Sequence, residues 1–149
     1  MKRIFIDAEN CQGCKNCSVA CMQAHRPEAT GTIYDLNLTE QKRESRNTIL
    51  LDHAKRYKPL FCRHCDKPRC AEVCVSGALA KDPVSGLVQY DGEKCAQCFM
   101  CVMSCSFGVP KPDKETRTQV IKCDFCKDSG GEPSCVKVCR TRAIYLQEV

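Results

Sequence analysis

The sequence predicts an α+β chain of two fused small modules, built from short strands, short helices and ligand-bearing loops. Three observations predict it. All 16 cysteines of the 149-residue chain fall into four quartets with none left over. Ordinary core formers are sparse, with no Trp, five Phe and four Tyr against 28% charged residues. Short β-prone runs lead directly into the cysteine groups and separate them.

The quartets carry the chemistry. Cys95-Ala-Gln-Cys98-Phe-Met-Cys101-Val-Met-Ser-Cys105 reads C-x2-C-x2-C-x3-C, and Cys11, Cys14, Cys17 and Cys21 repeat that spacing. Cys62, Cys65, Cys70 and Cys74 read C-x2-C-x4-C-x3-C, and Cys123, Cys126, Cys135 and Cys139 read C-x2-C-x8-C-x3-C. Three thiolates two residues apart line one side of an iron–sulfur cubane from a single loop. The fourth, a helical turn on, points to a neighbouring cluster, so each run implies a partner run. The expectation is four [4Fe–4S] clusters with all sixteen cysteines as iron ligands. Zinc sites draw on two knuckles separated by a longer loop, and the tight runs crowd too many thiolates together for one tetrahedral ion. Disulfides within C-x2-C loops would be poor, and the opening Met-Lys-Arg-Ile-Phe-Ile-Asp is no apolar signal segment. Reduced thiolates in a cytoplasmic setting are therefore expected.

Formal charge is +5 with thiols counted neutral. Four oxidised clusters with their thiolates add about −8, bringing the total to about −3. The basic residues crowding the loops (Lys15, Arg63, Lys67, Arg69, Lys94, Lys122, Lys127, Lys137 and Arg140) then read as compensation of cluster charge. Nucleic acid is not the expected partner.

In chain order, residues 3–7 predict a strand entering the first loop, followed by about one helical turn carrying Cys21. Residues 22–61 hold no cysteine and form an insertion that covers clusters or presents a docking surface. His25-Arg26-Pro27 and Gly31 mark turns there, Glu40 to Arg46 is a charged run, Thr48 to Asp52 is a candidate strand, and Lys58-Pro59 is punctuation. Gly77 to Lys81, the turn Asp82-Pro-Val-Ser-Gly86, and Leu87 to Tyr90 predict a hairpin joining the two central cysteine loops. Phe107 to Pro112 reads as a Gly/Pro-rich turn, Thr118 to Lys122 as a strand, Lys127 to Ser134 as a surface excursion, and Ala143 to Gln147 as a last strand. The module boundaries so implied are 1–21 with 106–149 (outer), 22–61 (insertion) and 62–105 (inner). No apolar run reaches membrane-spanning length, so no direct membrane insertion is expected.

Other candidate groups are weak. His64, inside the second loop, either replaces a thiolate or donates to a cluster sulfur. His25 and His53 read as surface or insertion residues, and Met100 and Met103 as apolar cover with thioethers filling gaps. No Gly-rich phosphate loop, Ser/His/Asp set, HExxH or C-x3-C-x2-C triplet is present, so no catalytic residue is assigned.

The four quartets in this order resemble the four-cluster, ferredoxin-type electron-transfer subunits of oxidoreductases. These accompany formate dehydrogenase, dimethyl-sulfoxide reductase, hydrogenases, tungsten or molybdenum aldehyde oxidoreductases and carbon monoxide dehydrogenase. Cys62-Arg-His-Cys65-Asp-Lys-Pro-Arg-Cys70, Ser76-Gly-Ala-Leu and Lys81-Asp-Pro-Val-Ser-Gly-Leu-Val look most like the carbon monoxide dehydrogenase iron–sulfur protein. So do Cys98-Phe-Met-Cys101-Val-Met and Lys122-Cys-Asp-Phe-Cys126. The resemblance implies ferredoxin-like modules in which outer quartets pair with each other, as do inner ones. One cluster would take Cys11, Cys14, Cys17 and Cys139, and a second Cys21, Cys123, Cys126 and Cys135. A third would take Cys62, Cys65, Cys70 and Cys105, and a fourth Cys74, Cys95, Cys98 and Cys101. Met22, Val75, Ser106 and Arg140 stand where ferredoxin runs commonly place Pro after the fourth cysteine. A C-terminal extension used by longer subunits for membrane-anchor contacts is missing, which predicts a soluble complex.

The function so expected is non-catalytic: electron transfer between a catalytic oxidoreductase subunit, carbon monoxide dehydrogenase foremost, and a ferredoxin, flavoprotein or second polyferredoxin. The competing readings are a free polyferredoxin carrier, or a redox-sensing or zinc-binding regulatory protein. A substrate-binding cluster would leave one iron without a thiolate, whereas sixteen cysteines for four clusters leave none open.

Overall fold

Each C-x3-C pair falls where a short helix forms, because positions i and i+4 of a helix lie on one face, a turn apart. The computed structural model describes residues 2–26, 44–130 and 132–149. Helices α1 (Asn16–Ala24), α2 (Arg69–Glu72), α3 (Met100–Ser104) and α4 (Ser134–Lys137) carry Cys17 with Cys21, Cys70, Cys101 and Cys135 respectively. Cys74, Cys105 and Cys139 follow just past the ends of the last three. At nine residues, α1 is longer than the single turn expected.

Two kinds of loop launch these helices. In the tight quartets the residue capping the helix is left-handed: Lys15 before α1 at φ 59° and Phe99 before α3 at φ 54°. In the relaxed quartets an extended proline does the same work, Pro68 before α2 and Pro133 before α4. Proline suits a helix start because its fixed φ is compatible with entry and it has no amide to leave unpaired. Helix α1 packs on α4, and α2 on α3, so each packed pair joins one tight and one relaxed quartet.

Strands occur only as antiparallel pairs among the described residues. Near the two ends of the chain, β1 (Lys2–Ile6) pairs with β8 (Ile144–Glu148), with Ile4 opposite Leu146 and Ile6 opposite Ile144. The central hairpin pairs β4 (Leu79–Lys81) with β5 (Val88–Tyr90). Two strands were not expected. β3 (Tyr57–Leu60) pairs with β2 (Thr48–Leu51) and contains Pro59, read from the sequence as punctuation. β6 (Lys111–Pro112) pairs with β7 (Val120–Ile121) inside the segment read as a turn. Gly31, Pro27 and most of the charged run from Glu40 lie outside the described residues.

The apolar interior forms two small clusters. Ile4, Phe61, Phe125, Cys135 and Ile144 make one, and Leu79, Val88, Cys101 and Val120 make the other. Phe61 thus takes the insertion's last residue into the core of the chain ends. Val120 binds the β6–β7 hairpin to the central one, its amide donating to Tyr90 Oη at 3.2 Å. Residues 44–47 brace the first quartet: buried Asn47 donates to Cys17 O at 3.2 Å and accepts from Ser18 Oγ at 2.6 Å.

Candidate iron–sulfur centres

The residue just before the second cysteine of every quartet, closing its first C-x2-C step, sits in the left-handed region. These are Gly13 (φ 67°), His64 (φ 44°), Gln97 (φ 58°) and Phe125 (φ 64°). An L-residue enters that region at a cost of about 1–2 kcal/mol. Its recurrence at all four equivalent positions shows that the loop needs it. Such a kink turns successive amides toward a common centre, forming a concave nest suited to an anionic group.

The sixteen cysteines are all free thiols, and they gather in groups drawn from different parts of the chain. Burial pushes the Cys17 thiol up to about 11, against hydrogen bonds to Ser18, and the nearby Cys14 and Cys139 push the same way. Cys135 is raised by burial and by Cys123, Cys21, Cys126 and then Cys17 around it. Burial lifts Cys70 to about 11, with Cys62, Cys105 and Cys65 adding to it. Those same four cysteines line a cavity of about 170 Å³ together with His64 and Lys122. A narrower cavity is lined by Cys74, Cys95, Cys98 and Cys101. Cys11 opens onto a groove beside Lys55, Arg56, Tyr57 and Lys58. Two links join the groups: Cys17 acts on Cys135, and Cys62 on Cys123, which burial pushes up to about 12.

Amides and hydroxyls already point at several sulfurs. Arg46 N donates to Cys21 Sγ at 3.2 Å, Leu79 N to Cys74 Sγ at 3.3 Å and Phe125 N to Cys123 Sγ at 3.4 Å. Ser76 and Thr141 each place a hydroxyl beside the cysteine two residues earlier, Cys74 and Cys139. At Cys74 burial works against ionisation, yet these donors together hold the thiol below its ordinary value.

Two expectations need correction. His25, read as a surface or insertion residue, belongs to the insertion but is not on the surface: its side chain is 15% exposed, Nδ1 donates to Cys21 O at 2.7 Å and Nε2 to Asp124 Oδ1 at 3.0 Å. Burial opposes its charge, but Asp124 and Cys21 outweigh that and raise it to about 10. The i,i+4 spacing of Cys21 and His25 on a helix is the signal that could have found it. Met100, though 51% exposed, lines the narrower cavity with Cys98 and Cys101 as apolar cover would, whereas Met103 is 82% exposed and turned to solvent. Of the nine basic residues read as charge compensation, Lys122 alone is buried and the other eight are exposed.

Residues 53–149 match the 4Fe-4S dicluster domain family. The chain belongs to that family. It is 35% identical to the B subunit of anaerobic dimethyl sulfoxide reductase from Escherichia coli (strain K12), over 94% of this chain and 70% of that one. It is 31% identical to the nitrate-inducible formate dehydrogenase iron-sulfur subunit of the same strain, over 95% of this chain and 52% of that one. The β subunit of NADH-dependent phenylglyoxylate dehydrogenase from Aromatoleum evansii is 35% identical over 91% of this chain. The chain spans only 28% of that subunit's length. Among solved structures, a subunit of the active site complex BamBC of benzoyl coenzyme A reductase with 1,5-dienoyl-CoA aligns with a TM-score of 0.51 and 25% identity. That alignment covers 100% of this chain and 78% of the other. The dicluster loops fit the cofactor: the two cavities just described are each lined by four cysteine sulfurs, and soft thiolates select iron–sulfur clusters over harder ions. The protein is thus an iron–sulfur protein of the oxidoreductase-subunit type. No helix among the described residues is long and apolar enough to cross a membrane.

Proposed function

We propose that this chain is a relay of four [4Fe–4S] clusters connecting a catalytic oxidoreductase subunit to a redox acceptor. The ligand sets are Cys11, Cys14, Cys17 and Cys139; Cys21, Cys123, Cys126 and Cys135; Cys62, Cys65, Cys70 and Cys105; and Cys74, Cys95, Cys98 and Cys101. The carrying observation is the line of cysteine neighbours. The first set meets the second through Cys17 and Cys135, and the second meets the third through Cys123 and Cys62. The third meets the fourth through the packed helices α2 and α3. The two exposed cysteines, Cys14 and Cys98, belong to the first and last sets, which supports exits at both ends. When bound, such clusters supply one-electron transfer without bond making. The chain's own part is to hold them close, exclude water from the middle of the line, and set potentials through hydrogen bonds and charge.

The same line supports an outer module made of the chain ends and an inner module around the central hairpin, with Val120 and Phe61 knitting the segments together. The relatives are named for dimethyl sulfoxide, formate and phenylglyoxylate chemistry, and that spread of substrates favours an electron-transfer role over recognition of any one of them. A carbon monoxide dehydrogenase partner rests on the resemblance around residues 62–70 and 81–88. The acceptor is a ferredoxin, flavoprotein or polyferredoxin, and the setting is cytoplasmic.

Anaerobic isolation of the native protein tests this. Expected are about sixteen irons and as many sulfides per chain, with a catalytic subunit in fixed stoichiometry. Zinc in place of iron, or far fewer irons with all thiols intact, overturns the relay. A loaded chain that purifies alone is a free carrier.

A further inference from the structure

Lys122 stands where the second and third cysteine groups meet, directly before Cys123 and on the wall of the cavity ringed by Cys62, Cys65, Cys70 and Cys105. It is 4% exposed. Its Nζ donates to Val88 O at 2.7 Å and to Cys123 O at 2.8 Å, which uses two of an ammonium's three donors. No carboxylate forms an ion pair with Lys122 among the described residues. A buried cation without a counter-charge is strongly unfavourable. The groups it acts on electrostatically include the Cys70 and Cys123 sulfurs, which are anionic when they hold iron.

His64 lies in the same wall and is 2% exposed. Its Nδ1 accepts the Val88 amide at 3.0 Å, so the neutral ring carries its proton on Nε2. That Nε2 is buried and has no protein partner. Phe125 meets the imidazole edge-on at 5.8 Å, holding the ring in place. One backbone unit, Val88, therefore orients both side chains, its amide fixing His64 and its carbonyl fixing Lys122.

We propose that Lys122 and His64 are a paired tuning device for the centre held by Cys62, Cys65, Cys70 and Cys105, Lys122 as its buried counter-charge and His64 as an N–H donor to its sulfur. This rests on the relay reading. Reduction of such a centre adds one electron and takes its charge from about −2 to about −3. A fixed positive charge and an N–H···S bond both favour the more negative state, so they raise the reduction potential. The pair makes this interior centre a resting place for the electron between the two exits.

The test is a redox titration of the intact, anaerobically purified chain followed by electron paramagnetic resonance. The unmodified protein is compared with Lys122→Met, Lys122→Arg, His64→Asn and Cys70→Ser. Asn tolerates the left-handed backbone that His64 occupies. Expected is a downward shift of one midpoint in Lys122→Met and in His64→Asn, in the signal that Cys70→Ser abolishes. Its size is at least a tenfold change in the reduced-to-oxidised ratio, about 59 mV for one electron. Lys122→Arg keeps the charge and the original midpoint. Unchanged midpoints in fully loaded Lys122→Met, or a shift in a signal that survives Cys70→Ser, overturn the proposal. If Lys122→Met loses iron while Lys122→Arg stays loaded, the counter-charge role is supported; loss from both makes Lys122 a packing residue and overturns it. The iron content of the unmodified chain tests the relay separately, so failure of one reading is distinguishable from failure of the other.

Discussion

At the left-handed step before the second cysteine of each quartet, four different residues share one backbone conformation. Gly13 takes it without strain, and a Cβ there would also strike the Tyr57 ring. Gly13→Ala is expected to cost about 1–2 kcal/mol in backbone strain and to push Tyr57 aside, read as faster bleaching of visible absorbance in anaerobic denaturant. Gln97→Gly, by contrast, relieves strain at an exposed site and is expected to leave bleaching unchanged or slower. Phe125→Gly relieves the same strain but empties part of the core around Ile4 and Ile144, costing about 3–5 kcal/mol. Equal effects at the three sites would show that the kink is incidental. Of these four positions only Gly13 was legible in the sequence, because glycine alone declares positive φ. The others are dictated by the geometry of wrapping two thiols round one centre, which residue type does not encode. Lys122 was legible as a charge beside a ligand but not as the buried one among nine, since burial depends on Val88 from a distant strand supplying its acceptor.

For the short elements, the cysteine spacing carried the helices and the β-prone runs carried most strands. The two missed strands each contain proline, Pro59 and Pro112. In a two-stranded sheet every strand is an edge, so a missing amide leaves no ladder broken on a second side and proline is tolerated. The β6–β7 turn is held by Asp113, whose carboxylate accepts from the amides of Thr116 at 2.7 Å and of Thr118 and Gln119 at 3.0 Å. The Gln119 and Thr116 bonds hold its carboxyl well below the usual carboxylate range. A depressed folded value contributes stability above the unfolded pKa, about 3.9, and loses it as pH falls through the folded one. The thermal midpoint of the unmodified chain is therefore expected to exceed that of Asp113→Ala by a constant margin from neutral pH to about pH 5, the margin closing below about pH 4. A margin that persists into acid would assign the turn's stability to its backbone instead. The C-x3-C helices make a second prediction at this scale. If the fourth cysteine crosses to the partner quartet, Cys139→Ser and Cys11→Ser abolish the same paramagnetic signal, while Cys139→Ser and Cys135→Ser abolish different ones. Loss of one common signal from Cys135→Ser and Cys139→Ser would mean each quartet holds its own cluster.

Across the whole molecule, the two apolar clusters are too small to act as a core alone, and each includes a cysteine, Cys135 in one and Cys101 in the other. The sheets are isolated pairs, and a lone two-stranded hairpin is marginal in water. Among the described residues, three of the four α-helices have five residues or fewer, well below the length at which a helix stands without support. What joins these pieces in space is the set of cysteine groups, each drawing on segments far apart in sequence, such as Cys17 with Cys139 and Cys70 with Cys105. Metal–ligand bonds closing such long loops contribute folding free energy directly, and the chain cannot recover it from apolar burial. Removing iron with a chelator under anaerobic, thiol-reducing conditions is therefore expected to abolish far-ultraviolet ellipticity and open both ends and middle of the chain to protease together. Reconstitution with iron and sulfide should restore both signals along with the visible spectrum. An iron-free chain that keeps its ellipticity and resists protease would mean that Ile4, Phe61, Val88 and Val120 suffice to hold the fold, with the clusters as passengers on a scaffold built without them.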